Sequence, residues 1–218
     1  MNKICTLFGL VILAACAPNE VRFETLVEKN SITYKVNSQI PFTGSSIRRY
    51  RNGQLEFKVN YKGGKKDGFT VQYDEAGELK FKGKFKDGLE HGPHESYYEN
   101  GLLEFKINYK DGEFDGLFES YHKNGQLNLK ENYKDGEFDG LSEYADANGQ
   151  LKSKRNYKDG EFDGLFESYH DNGQLKSKIN YKDGELDGLW ESYHDNGQFN
   201  FKICYKNSKI VDTSYCEE

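Results

Sequence analysis

"YKDGEFDG" occupies residues 109–116, recurs letter for letter at 133–140 and 157–164, and returns as "YKDGELDG" at 181–188. The interval is 24 residues each time, and self-similarity at a fixed period marks a repeat architecture. With Gly164 taken as position 0, a glycine recurs at 44, 68, 92, 116, 140, 164 and 188. A second glycine, at position 9, recurs at 53, 77, 101, 125, 149, 173 and 197. A ring fills position 17 in Tyr61, Phe85, Tyr109, Tyr133, Tyr157, Tyr181 and Tyr205. Seven units therefore follow one another without insertion or deletion.

Each unit reads as two strands and two turns. "GLFESYH" (164–170) leads into Asp171-Asn172-Gly173, and "QLKSKINYK" (174–182) runs into Asp183-Gly184. Asn-Gly and Asp-Gly between β-type runs are strong hairpin signals, because both dipeptides accept positive φ. In the second strand Leu175, Ser177, Ile179 and Tyr181 alternate with Lys176, Lys178, Asn180 and Lys182, the period-2 pattern of a strand. A lone hairpin cannot bury its apolar side, but stacked hairpins bury one another's. The fold class expected is all-β: an elongated, single-layer antiparallel sheet of seven stacked hairpins.

Composition agrees. The 218 residues are 35% apolar and 30% charged, with 23 Gly, 3 Pro, 16 Tyr, 15 Phe and one Trp. Aromatics with Gly, Asn and Asp suit short strands and tight turns. A net charge of −6 argues against a general nucleic-acid binder.

The first residues stand apart. "MNKICTLFGLVILAAC" carries one Lys and then an apolar run from Ile4 to Ala15, too short for a typical spanning helix and suited to a signal sequence. Leu13-Ala14-Ala15-Cys16 resembles the lipobox of bacterial lipoproteins. That resemblance implies cleavage before Cys16, diacylglycerol on its thiol and acylation of the new amine, hence a stable membrane anchor without a spanning helix. Ala17 in place of an inner-membrane retention residue implies the outer membrane or cell surface. Cys5 leaves with the leader, so Cys204 and Cys216 remain, read either as a bridge closing the last segment or as two free thiols. The expected divisions are a leader at 1–15, an anchor segment and capping hairpin at 16–40, repeats at 41–205 and a cap at 206–218. "PFTG" (41–44) mimics "EFDG", 23–36 reads as an irregular hairpin, and 207–216 as a degenerate turn and strand.

"GLFESYHDNGQLKSKINYKDG" (164–184) resembles the MORN repeat in its bacterial variant, and the likeness extends over about residues 41–205. Unit five departs from it, with Tyr144 one place early, and unit one has Arg49 in the Tyr column. The resemblance implies a twisted single-layer sheet and no catalysis. Bacterial members often carry a YwqK-type antitoxin label. The resulting reading is a lipid-anchored, non-catalytic protein-binding or scaffolding module. The alternatives are an immunity protein that occludes a toxin and a cell-wall or glycan binder.

Lys fills position 14 throughout, including Lys106, Lys130, Lys154, Lys178 and Lys202. A two-residue Asn-Gly turn sets each Lys opposite a position-3 Glu (95, 119, 143, 167, 191), a pairing of about 0.2–1 kcal/mol. Tyr73, Tyr97, Tyr121, Tyr169 and Tyr193 share position 5. With the two-residue turn these rings join the Lys columns as an exposed binding face. A third turn residue with a bulge makes them core instead. His122, His170 and His194 at position 6 lie about 9.6 Å apart in neighbouring hairpins, too far to share a zinc ion. "HGPH" (91–94) is a weak metal signal, and the carboxylates of Asp111, Glu113 and Asp115 match no calcium-loop spacing. No metal, cofactor or small-molecule substrate is expected, and the partners expected are a membrane and a protein.

Overall fold

The computed structural model describes residues 19–216; the expected leader and the expected lipidation site, Cys16, lie outside the described residues. An 18-stranded sheet carries all seven units, and each unit contributes two strands, such as Gly164–Tyr169 and Leu175–Lys182 in unit six. The second unit, 68–91, has the same pair, ending Lys65–Tyr73 and spanning Leu79–Lys86.

The octapeptide makes one rim of the sheet. Asp111 and Gly112 take φ of 53° and 94°, and Asp159 and Gly160 take 48° and 82°. Two successive positive φ values define the two-residue turn whose twist matches that of the strands. Lys110 accordingly faces Glu113. Just beyond, Asp-Gly at positions 23 and 0 forms a bulge. Phe114 faces Tyr109 and Phe118 faces Ile107, so three residues stand opposite Asn108. The position-16 Asn fills the space: Asn132 Nδ2 donates to the Leu141 carbonyl at 3.0 Å and Asn156 Nδ2 to that of Leu165 at 2.9 Å. Glycine at position 0 is required twice over. Gly188 has φ of 118°, and a Cβ there would come within 3.0 Å of Asn180 Cβ.

At the other rim the expected two-residue Asn-Gly turn is corrected. His122 N–H donates to the Gln126 carbonyl and Gly125 N–H to that of His122, both at 2.8 Å, so three residues, 123–125, form the turn. The register then recovers. Tyr121 faces Leu127, Ser120 faces Leu129, and Asn128 is the extra residue of a bulge. The recovery keeps Glu119 opposite Lys130. It also moves the position-11 residue to the other face, so Leu175 sits opposite Tyr169 and not beside Ile179.

Both rims are tied laterally. Gly112, Gly136, Gly160 and Gly184 each donate their N–H to the position-22 carbonyl of the preceding unit, at 2.9 Å. On the other rim, Asn100 Nδ2 donates to the Lys123 carbonyl at 2.7 Å and Tyr98 Oη to that of Tyr121 at 2.6 Å. The strict period thus has a cause: any slip would unmatch both rows of donors.

The ends differ from the expected all-antiparallel sheet. Glu20–Arg22 pairs parallel with Gly44–Arg49 at the N-terminal edge. No turn signal announces such a pairing, because it depends on chain arriving from a distance. The capping hairpin is Leu26–Lys29 with Ile32–Lys35. It closes on unit one through Phe42, 3% exposed, which packs with Val59 and Tyr61. The Gly64 N–H donates to the Phe42 carbonyl at 2.7 Å, the same tie that Phe114 makes with Gly136, so "PFTG" does occupy the place of "EFDG". At the other end Lys209–Val211 closes the sheet against 204–206. Cys204, fully buried, is disulfide-bonded to Cys216, with Cα atoms 6.0 Å apart.

Candidate binding surfaces

The two faces have distinct chemistry. On the first lie positions 3, 5, 11 and 14. Each Glu faces two lysines, one in its own unit and one in the unit before: Glu119 faces Lys106 and Lys130, Glu143 faces Lys130 and Lys154, Glu167 faces Lys154 and Lys178. With Lys82, Glu95, Glu191 and Lys202, one charge per strand alternates in sign from Lys82 to Lys202. Lys154 Nζ lies 3.1 Å from Glu143 and Lys178 Nζ 2.5 Å from Glu191.

The candidate rings join this ladder. Tyr97, Tyr121, Tyr169 and Tyr193 donate their hydroxyls to Glu95, Glu119, Glu167 and Glu191 at 2.9, 3.2, 2.9 and 3.1 Å. They and Tyr73 are half-buried. The extra turn residue is present, yet the rings stay on the lysine face. The compensating bulge lies in the second strand and leaves the alternation of the first intact. Of the two expected outcomes, neither occurs as stated: these rings are neither a free ladder nor a core. In unit five Ala145 takes the ring's place and is buried, while Tyr144 turns to the other face.

Loss of water around the ring, then the bond to the Glu167 carboxylate, pushes the Tyr169 hydroxyl up to about 12 from an ordinary 10.0. Tyr97, Tyr121 and Tyr133 shift the same way, each chiefly by loss of water. The folded state therefore holds these protons more tightly than the unfolded chain. Their stabilisation is complete below about pH 10 and is lost as the pH rises above it, for Tyr169 between about 10 and 12. The melting temperature should fall through that window. Phe at 97, 121 and 169 should flatten the fall, and an unchanged profile would contradict the assignment.

The second face carries what the sequence did not make plain. Rings from positions 17 and 22 stack in one continuous row: Tyr109, Phe114, Tyr133, Phe138, Tyr157, Phe162, Tyr181. Successive centroids are 4.9, 5.2, 4.7, 5.0, 4.8 and 5.1 Å apart. The signal was present, since both Tyr and Phe belong to the octapeptide, but a turn reading treats them as flanks. Toward the N-terminus His94, buried, continues the row beside Phe85 and Tyr109, with Nε2 2.8 Å from the Lys84 carbonyl.

The remaining candidates are bound into the scaffold. His122 and His170 place Nε2 at 3.0 and 2.9 Å from the carbonyls of Ala145 and Tyr193, filling in their units the place that Tyr98 fills in unit three at the same rim. Asp115 and Asp135 lie 3.8 and 3.6 Å from Lys110 Nζ, and His91 lies 3.3 Å from Asp111. Among the described residues no group of three His, Cys, Asp or Glu stands close enough to hold a metal ion, and no helix is long and apolar enough to cross a membrane.

No curated protein matches the chain. The MORN repeat variant family matches it six times, at 42–62, 90–111, 114–135, 138–159, 162–183 and 186–207. The matches run from position 22, a ring in four of the six, to the turn that follows position 18, the segment that the rim ties hold together. They pass over unit two, where Asp74, Ala76 and Lys84 replace the usual residues but the hairpin persists. With most of its length so matched, the chain belongs to the MORN repeat variant family.

Proposed function

We propose that this protein is a non-catalytic binding rod held on the cell envelope by lipid at Cys16. The observation that carries the reading is repetition on an open sheet. Seven units repeat one hairpin at one interval, with Lys at position 14 in every unit, on a layer that the described residues cover only at its ends. Such a surface suits a partner gripped at several equivalent points, whose linked contacts raise the overall affinity without any one being strong. A repeat protein of the MORN variant kind is consistent with binding to a protein or a membrane. The partner proposed here is a protein of the same compartment. A glycan is the second reading, favoured by the row of rings from Tyr109 to Tyr181.

The anchor is tested by Cys16→Ser. The wild-type chain should partition into detergent and carry the mass of its acyl chains on a mature Cys16. The variant should be released or left uncleaved. Unchanged processing and partitioning would refute the anchor.

A further inference from the structure

Unit one breaks its own chain's pattern in one direction only. Position 3 is Ile47 where units three to seven have Glu, positions 4 and 5 are Arg48 and Arg49 where Ser and Tyr prevail, and position 7 is Arg51. At the other rim Gly63 replaces Asp, and Lys65 and Lys66 replace Glu and Phe. Residues 44–67 hold seven Arg and Lys against two acids, a charge of +5; unit three, 92–115, holds two against six, −4. Over the described chain, 19–67 holds ten bases and five acids, while 68–216 holds 19 bases and 29 acids. The molecule is a rod with a basic N-terminal pole and an acidic body.

The pole's charge is also less compensated than the body's. In the body the position-14 lysines are interleaved with glutamates. Arg22, Arg51, Lys62 and Lys65 are exposed and have no ion-pair partner among the described residues, though Arg48 is matched by Glu56 and Lys58 by Glu20. Apolar side chains accompany them: Ile40 is 77% and Val36 52% exposed, on the loop after Lys35. Lys35 Nζ bonds Asn19 Oδ1 at 3.2 Å, so this loop lies where the described chain begins. Asn19 is three residues from Cys16, a tether of at most about 10 Å.

We propose that this pole is a docking surface for anionic lipid headgroups. Basic side chains meet the headgroups, Val36 and Ile40 enter the interface, and the acidic body is repelled outward. The pole thus acts as a second signal beside the acyl anchor. The proposal rests on the lipid anchor at Cys16, which places this end within reach of the bilayer. An acidic protein on the same pole is the competing occupant. It is disfavoured by the short tether, which leaves little room between pole and membrane.

The test uses the mature protein purified from membranes and reconstituted into vesicles of phosphatidylcholine alone or with one third phosphatidylglycerol. Amide exchange should slow several-fold over 20–42 in the anionic vesicles only, with no change over 164–211. High salt should reverse it. The triple change Arg22→Gln, Arg51→Gln, Lys65→Gln, which breaks no side-chain hydrogen bond or ion pair among the described residues, should abolish it, and Ile40→Ser should weaken it. Equal exchange in both vesicles, on protein shown by mass to be acylated and to float with the vesicles, overturns the docking surface and leaves the anchor standing. If the mass shows no acyl chains, the anchor reading fails by itself. Cosedimentation with the same vesicles then decides the pole: sedimentation with anionic vesicles alone upholds it, and none overturns it.

Discussion

Removal of twelve residues should be far more damaging than removal of twenty-four. Deleting 140–163 takes out one whole unit. It leaves Asp139 followed by Gly164, the same Asp-Gly bulge as before. Every rim tie finds an equivalent partner, Glu167 comes opposite Lys130, and the ring row closes from Phe138 to Tyr181. The protein should fold with a sheet about 9.6 Å shorter and slightly lower stability. Deleting 140–151 instead removes one strand and the Asn-Gly turn. The Asp-Gly turns of later units then fall on the wrong rim. Their Gly N–H groups no longer meet the position-22 carbonyls that accept them now, and the charge ladder is cut between Lys130 and Lys154. Units six and seven should uncouple, giving two urea transitions or a loss of folded C-terminal chain. Equal stability of the two deletions would contradict the rim-tie account.

The second large effect concerns the ring row. Tyr133 lies between Phe114 and Phe138 and donates its hydroxyl to Glu131 at 3.0 Å. Full burial of a large ring is worth about 3–5 kcal/mol on truncation. For a half-buried ring about 2–3 kcal/mol is expected from Tyr133→Ala. Tyr133→Phe should cost less than about 1 kcal/mol, since it loses only a partly exposed hydrogen bond. The double change with Phe138→Ala should show coupling of about 0.5–1.5 kcal/mol. Denaturant titration measures all three. Additive losses would mean that the rings merely lie near one another.

Periodicity made the architecture legible before any coordinates. Glycines at two fixed positions, with period-2 strands between them, specify hairpins, and the Asp-Gly dipeptide specifies its turn. The Asn-Gly signal was weaker than it looked. The same dipeptide serves a two-residue turn and the end of a three-residue turn, and only Gly125, not Asn124, has positive φ. The bulge at Asn128 has no residue signature, because it exists to restore the pairing of Glu119 with Lys130 that the longer turn would spoil. The face of the position-5 rings was therefore undecidable from spacing. It is fixed by which strand absorbs the extra residue. Their partnership with Glu was equally hidden, since it runs along one strand from position 5 to position 3. The parallel edge strand, Glu20–Arg22, is set by long-range packing and by no local pattern.

Those bonds change what the candidate face implies. Tyr97, Tyr121, Tyr169 and Tyr193 are committed to the ladder, so replacing them would perturb the sheet as well as any contact with a partner. Whole-unit deletion separates the two, because it preserves every bond type and alters only the number of contacts. The most direct measurement is therefore the amount of one identified partner cross-linked in intact cells to the anchored wild-type protein, to the 140–163 deletion, and to variants altered only at 19–40 or 206–216. Binding spread along the rod predicts a graded fall with the deletion and little change with the altered ends. Full capture by the shortened rod, with none when an end is altered, would contradict it and make the repeats a spacer.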